Sequence, residues 1–521
     1  MNRIFWTSAV AFAASTTSAF ADYTLHILHI NDLHSRIESI SRFDGTCSAE
    51  DDAAGECFGG VARLKSAIDA KRAELAGQNV ILLDAGDQFQ GSLIYTTYKG
   101  SAAAEFMEAM DFDAMAVGNH EFDDGPEALS AFIDAVSFPF VSSNLDVSQS
   151  NLLNGKVNDH VILEVGGEQI GIISALATDT VETSSPGPNV IFQDEIDALA
   201  ASVGDLTEMG VSKIIALNHV GIVKDMEIAN NVEGIDVVVG GHSHTLLDSD
   251  NEDAFGPYPM MVGDVPVVQA YAYSKYLGHL TVTFDDAGHL TSVTGAPFLI
   301  DAATPKDAAI AARVAELAAP VEEMKNTVVA SAPAAIDGER ERCRLQECAM
   351  GNLITDAMLD RVADQGIQIA IQNGGGIRAS IDAGEVTMGE IYTVLPFQNT
   401  LSTFFVSGQT IIDALENGVS QTEEVKGRFP QVAGLEFTWD PSVAPLEGRV
   451  VEVLVEGAPI DPAATYGVVS NNYMRSGGDG YGMFGNAENV YDFGPDLAEV
   501  LAAYMAEGNA APALEGRIKQ K

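Results

Sequence analysis

Short apolar runs recur through the first half of the chain: Leu25-His26-Ile27-Leu28-His29-Ile30, Val80–Leu83, Ala114–Val117, Ile214–Leu217 and Val237–Val239. Each is followed by a polar or glycine-rich turn. Continuous runs of this length predict strands covered on both faces, as in α/β architectures. In such folds ligands collect at the carboxyl ends of the strands, which directs attention to the turns. Between Asp307 and Asn326 the pattern changes to Ala, Glu and Lys at helical spacing, predicting a connecting helix. A second set of strands follows at Ile367–Ile371, Thr403–Val406, Val451–Val455 and Tyr466–Ser470, with glycine-rich loops of its own. No internal repeat or low-complexity tract interrupts the pattern. The expected division is a leader at 1–21, a first domain at 22–302, a linker helix at 303–330 and a second domain at 331–521.

Composition narrows the class. The chain has 521 residues, 46% hydrophobic and 20% charged, a balance that supports packed cores rather than a disordered acidic chain. With 27 Lys+Arg against 75 Asp+Glu the formal net charge is −48, which argues against nucleic acid as a partner. The same field repels small anions, so an anion site here needs concentrated local positive charge. Arg3, the apolar stretch Ile4–Ala14 and the closing Ala19-Phe20-Ala21 predict a secretory signal peptide, too short to span a membrane. No Cys for lipid attachment sits near that cleavage site, and the tail from Leu514 to Lys521 is polar. A soluble protein without a membrane anchor, periplasmic or secreted, is expected. Export permits disulfides, and the four Cys fall into local pairs, Cys47/Cys57 and Cys343/Cys348. A zinc site is the alternative, but neither pair has C-x-x-C spacing.

The turns after the first set of strands carry the candidate chemistry. They are Asn31-Asp32-Leu33-His34, Gly86-Asp87-Gln88-Phe89-Gln90-Gly91, Gly118-Asn119-His120-Glu121-Phe122-Asp123, Asn218-His219 and Gly240-Gly241-His242-Ser243-His244. Five of the ten His in the chain lie in these turns. Asp, His and Asn without a thiolate suit Zn²⁺, Mn²⁺, Co²⁺ or Fe ions, and seven such ligands can hold two metals if one carboxylate bridges. Two cations together can clamp a phosphate and activate a water.

The five turns resemble those of the calcineurin-like metallophosphoesterases, and with the second segment the chain beyond residue 21 is similar to the secreted 5′-nucleotidase family. The resemblance implies an α/β/β/α sandwich at 22–302, a linker helix about which the second domain swings, and an α/β substrate-binding domain at 331–521. It implies that Asp32, His34 and His244 hold one metal and Asn119, His219 and His242 a second, with Asp87 bridging. Zn²⁺ is the expected metal, Mn²⁺ or Co²⁺ the alternatives. His120 is implied to contact the phosphate and help the leaving group, paired with Asp123. In the second domain the resemblance assigns Arg344 and Arg378 to the phosphate, Asn373 to the base or its neighbourhood, Phe397 and Tyr473 to a base sandwich, and Asp479 to the ribose hydroxyls. Tyr473 is a departure, since some relatives carry Phe there.

Several nearby residues have plainer readings. His26 and His29 lie on the first strand and read as core or edge histidines, and Asp84 as a structural carboxylate. Glu121 could be a ligand on composition alone, but the family pattern does not use it. Arg36 reads equally as a phosphate contact or a surface ion pair, and Arg475 is an extra charge of undetermined partner. The expected activity is hydrolysis of nucleoside 5′-monophosphates, with diphosphates or UDP-sugars as further substrates. The competing readings are a 2′,3′-cyclic-nucleotide phosphodiesterase/3′-nucleotidase, a thiosulfohydrolase-like enzyme and a non-enzymatic nucleotide-binding surface protein. Oligomeric state is not legible in the sequence.

Overall fold

The strand Tyr23–Ile30 shows why its apolar run is unbroken. Leu25 and Ile27 belong to a core shared with a second sheet, whereas Leu28 and Ile30 pack under helices on the opposite face. Ile81 and Leu83 against Leu82, and Ala114 and Ala116 against Met115, repeat the alternation. A period of two with both faces apolar is the signature of a strand buried between layers. The computed structural model describes residues 22–521 apart from 42, 43, 45, 46, 364, 398 and 492–494, so the leader expected at 1–21 lies outside the described residues. Among the described residues, no helix is long and apolar enough to cross a membrane.

The first domain stacks a seven-stranded and a six-stranded sheet. Helices Val61–Glu74 and Gly100–Met110 cover the outer face of the first, and Glu195–Glu208 and Ile222–Asn231 that of the second. Tyr23–Ile30, Asn79–Asp84, Ala114–Ala116 and Phe140–Val141 run parallel in one sheet. Glu168–Ile173, Ile214–Leu217 and Val237–Val239 run parallel in the other. The turns bearing the candidate ligands follow these strands at one common rim.

The expected strand-turn-helix repeat is incomplete, because antiparallel hairpins border both sheets. One pairs His160–Val165 with Glu168–Ile173 across Gly166-Gly167, both with positive φ, as a two-residue hairpin turn requires. A second pairs Tyr276–Phe284 with Leu290–Leu299, and a third Met260–Val262 with Val265–Val268.

The helix expected between Asp307 and Asn326 spans Ala308–Lys325. The Asp307 carboxylate accepts from the Ala309 and Ile310 N–H groups at 3.0 and 2.9 Å, capping its start. Leu317, Ala318 and Val321 bury in the first domain's core, and Arg313 pairs with Glu105 at 2.7 Å, so the helix is docked on that domain.

The second domain holds a five-stranded and a four-stranded sheet. Its first expected strand lies two residues further on, at Ile369–Asn373, which places Asn373 at the strand end. Both cysteine pairs form disulfides, each closing one local loop: Cys47–Cys57 with 5.9 Å between Cα atoms and Cys343–Cys348 with 5.1 Å.

Candidate active site

The rim turns bend sharply. Asp32, His34, Asp87, His242 and His244 all have φ between 50° and 73°. Non-glycine residues rarely adopt this region, and clusters of them mark sites where the surroundings impose the backbone. Their side chains converge. His244 Nε2 lies 3.0 Å from His34 Nε2 and 3.3 Å from Asp32 Oδ1. Asn119 Oδ1 lies 3.1 Å from His219 Nε2 and 2.8 Å from His242 Nδ1. Asp87 Oδ2 sits between the two groups, 3.1 Å from His219 Nε2 and 3.8 Å from His34 Nε2.

The hydrogen bonds behind these rings test whether the cluster suits metal ions. His34 Nδ1 donates to Phe89 O at 3.1 Å and His219 Nδ1 to Ala85 O at 2.7 Å, because a carbonyl can only accept. In the neutral His34 ring Nε2 is therefore a bare lone pair, the tautomer a metal needs. For His219 burial disfavours charge but Asp87 outweighs it and raises the pKa to about 10, so a cation there takes the place of the Nε2 proton. The Nε2 atoms of His34 and His244 lie 3.0 Å apart beside the Asp32 carboxylate, close enough for one cation to take both rings and the carboxylate. Burial holds His34, His242 and His244 well below the usual imidazole range, hence neutral. Burial opposes charge on Asp87, yet His219 and His120, both with raised pKa values, hold its carboxyl well below the usual carboxylate range. This donor set fits divalent cations.

Glu121, which composition alone left as a possible ligand, does something else. Its buried carboxylate accepts from the N–H groups of Asp87 at 3.0 Å, Gln88 at 2.8 Å, Phe89 at 3.2 Å and Gly118 at 2.8 Å. It thereby fastens the Asp87 turn to the turn carrying Asn119 and His120. Asp84 accepts from Gly86 N at 2.9 Å and Gln88 Nε2 at 2.5 Å, a structural bond pattern. His29 Nε2 meets the Tyr258 hydroxyl at 2.7 Å, and His26 meets Gln78 and His279, so both serve the core.

His120 Nδ1 bonds Asp123 Oδ2 at 2.5 Å, and Asp123 Oδ1 accepts from Ser184 Oγ at 2.6 Å. Burial disfavours the imidazolium, but Asp123 and Asp87 outweigh it and raise the His120 pKa. The His120 ring stacks on Phe397 of the second domain at 5.7 Å, and the Arg378 guanidinium lies 5.4 Å from the centre of the Phe397 ring. Across the same junction Lys426 Nζ pairs with Asp179 Oδ2 at 3.2 Å.

A cleft of about 1010 Å³ between the domains is lined by Asp87, Asn119, His120, Asp123, His242 and His244 from one side. Arg340, Arg344, Asn373, Arg378, Phe397, Tyr473 and Asp479 line it from the other. Asn373 Nδ2 donates to Asp479 Oδ2 at 2.7 Å. The loop Gly374–Gly376 packs so closely that a Cβ at Gly374 would lie 2.3 Å from the Cys343 carbonyl oxygen, which ties it to the disulfide loop bearing Arg344. Arg340 escaped the sequence reading. Its signal was its position four residues before Arg344, one helical turn away. Arg36 is no surface pair: it is buried, its guanidinium 5.3 Å from the centre of the Tyr273 ring. Arg475 lies over Phe404 at 5.8 Å.

A helix–sheet–sheet–helix domain whose strand ends gather histidines and carboxylates, closed by a second α/β domain, defines a two-domain metallophosphoesterase. Residues 25–246 match the Calcineurin-like phosphoesterase family and residues 326–486 the 5′-nucleotidase C-terminal domain. The 5′-nucleotidase of Bos taurus is 38% identical over 98% of this chain and 93% of its own, and that of Homo sapiens 37% identical over 98% and 94%. The crystal structure of a 5′-nucleotidase precursor from Thermus thermophilus superposes with a TM-score of 0.89, at 41% identity, over 96% of this chain and 99% of its own. The chain belongs to the 5′-nucleotidase family.

Proposed function

We infer that the protein is a metal-dependent phosphoric ester hydrolase that converts nucleoside 5′-monophosphates to nucleoside and phosphate. The observation that carries this reading is one cleft lined by a metal-ligand cluster on one domain and by arginines and aromatic rings on the other. We assign Asp32, His34 and His244 to one ion and Asn119, His219 and His242 to the other, with Asp87 between them. Zn²⁺ is the proposed metal ahead of Mn²⁺ and Co²⁺, because the donors are imidazole, amide and carboxylate. When bound, such a pair activates a water and offsets phosphoryl charge.

The chain's own residues supply the rest. Arg344 and Arg378 grip the phosphate with planar forks matched to its oxygens. Phe397 and Tyr473 stack the base, a contact worth about 1–3 kcal/mol that tolerates different bases. Asp479 accepts from the ribose hydroxyls. Asp123 holds the His120 Nδ1 proton, so His120 Nε2 can carry the proton that the departing 5′ oxygen needs. The leader read at 1–21 supports a periplasmic or secreted location, in keeping with relatives named as snake venom 5′-nucleotidases. The linker helix is held to the first domain, so domain movement is proposed to begin after Lys325.

Phosphate release from AMP, UMP, ADP, UDP-glucose and 2′,3′-cyclic AMP tests the substrate class. AMP and UMP are expected to be turned over with similar kcat/KM. Preference for the cyclic nucleotide, with AMP inert, would overturn the reading.

A further inference from the structure

The Tyr473 hydroxyl does more than decorate a stacking ring. Its oxygen accepts from the Asp479 N–H at 3.1 Å and donates to Asp479 Oδ1 at 3.3 Å. The other carboxylate oxygen, Oδ2, takes Asn373 Nδ2 at 2.7 Å, and Asn417 Nδ2 donates to the Asp479 carbonyl at 3.1 Å. Asp479 needs this harness because its φ is 54°, a conformation unfavourable for a residue with a Cβ. The ring lies flat over Gly478, where a Cβ would come within 2.4 Å of its carbons. One face of Tyr473 thus rests on the backbone immediately before Asp479, while the residue stays half-exposed to the cleft.

We propose that Tyr473 is a positioning residue for sugar recognition: its hydroxyl fixes the rotamer and backbone of Asp479, so that base stacking and ribose-hydroxyl binding are set by one side chain. The inference rests on the nucleotidase reading and deepens it. A phenylalanine at this position would stack equally well but leave the Asp479 N–H and one carboxylate oxygen without this partner. The ligand chemistry concerned is a nucleoside 5′-phosphate with free 2′ and 3′ hydroxyls. Discrimination against the sugar lacking them should then depend on the phenol, because a site built to bond a hydroxyl rejects the analogue without it.

The test compares wild type and Tyr473→Phe on AMP and on 2′,3′-dideoxy-AMP, with the melting temperature as a check on folding. Loss of a hydrogen bond to a charged group predicts that kcat/KM for AMP falls about tenfold, mostly through KM, while dideoxy-AMP changes by less than about twofold. In an Asp479→Ala background the Tyr473→Phe change should have no further effect on AMP, since the two residues act as one unit. An equal loss on both substrates, an unchanged AMP value, or additive losses in the double variant would each overturn the proposal. Wild type inert toward AMP would instead refute the nucleotidase reading, so the two failures are distinct.

Discussion

At the scale of single residues, the site depends on groups whose identity chemistry dictates and on others whose role only the fold creates. The convergence of Asp32, His34, Asp87, Asn119, His219, His242 and His244 was legible because these residue types recur in the turns after the central strands. Glu121 was not, since its task is to collect four backbone N–H groups that meet only when the Asp87 turn adopts positive φ. Replacing it with Gln keeps the shape but turns an amide donor toward those donors. Leaving a buried N–H unpaired costs about 1–3 kcal/mol. Glu121→Gln is therefore expected to lower both metal occupancy and kcat for AMP, read by elemental analysis and phosphate release. Full occupancy with normal turnover would show that the carboxylate does not hold the turn.

At the scale of elements, both-face burial made the central strands readable, as Leu25 and Ile27 against Leu28 and Ile30 illustrate. The edge hairpin Tyr276–Phe284/Leu290–Leu299 escaped because Leu290–Leu299 is mostly exposed or half-exposed and lacks a continuous apolar run, while buried and half-buried positions interleave along Tyr276–Phe284. In the second domain the glycine-rich loop was visible, but its tight packing against Cys343 was not, being a contact distant in sequence. That contact makes a prediction. A methyl group at Gly374 must displace the backbone of the disulfide loop, so Gly374→Ala is expected to raise KM for AMP several-fold by moving Arg344, at a stability cost of about 1–3 kcal/mol. Metal content, set on the other domain, should stay at the wild-type level. A variant that loses its metals while keeping its AMP affinity would contradict this division of labour.

At the scale of the whole molecule, a chain of net charge −48 gathers positive charge at one junction. Arg340, Arg344 and Arg378 approach from the second domain toward the metal-ligand cluster of the first. The His120–Phe397 stack and the Lys426–Asp179 pair hold the two walls together. Neither inter-domain contact could be read from the sequence, because each joins residues more than two hundred positions apart whose meeting depends on how the domains dock. The central claim is that a pair of metals on one wall and the arginine cradle on the other act on the same phosphate. Its most direct test is to strip the protein with a chelator, titrate Zn²⁺ or Mn²⁺ back, and follow phosphate release from AMP. The account predicts a silent stripped protein whose activity returns and saturates at two ions per chain; full activity without metal, or saturation at one ion, would contradict it.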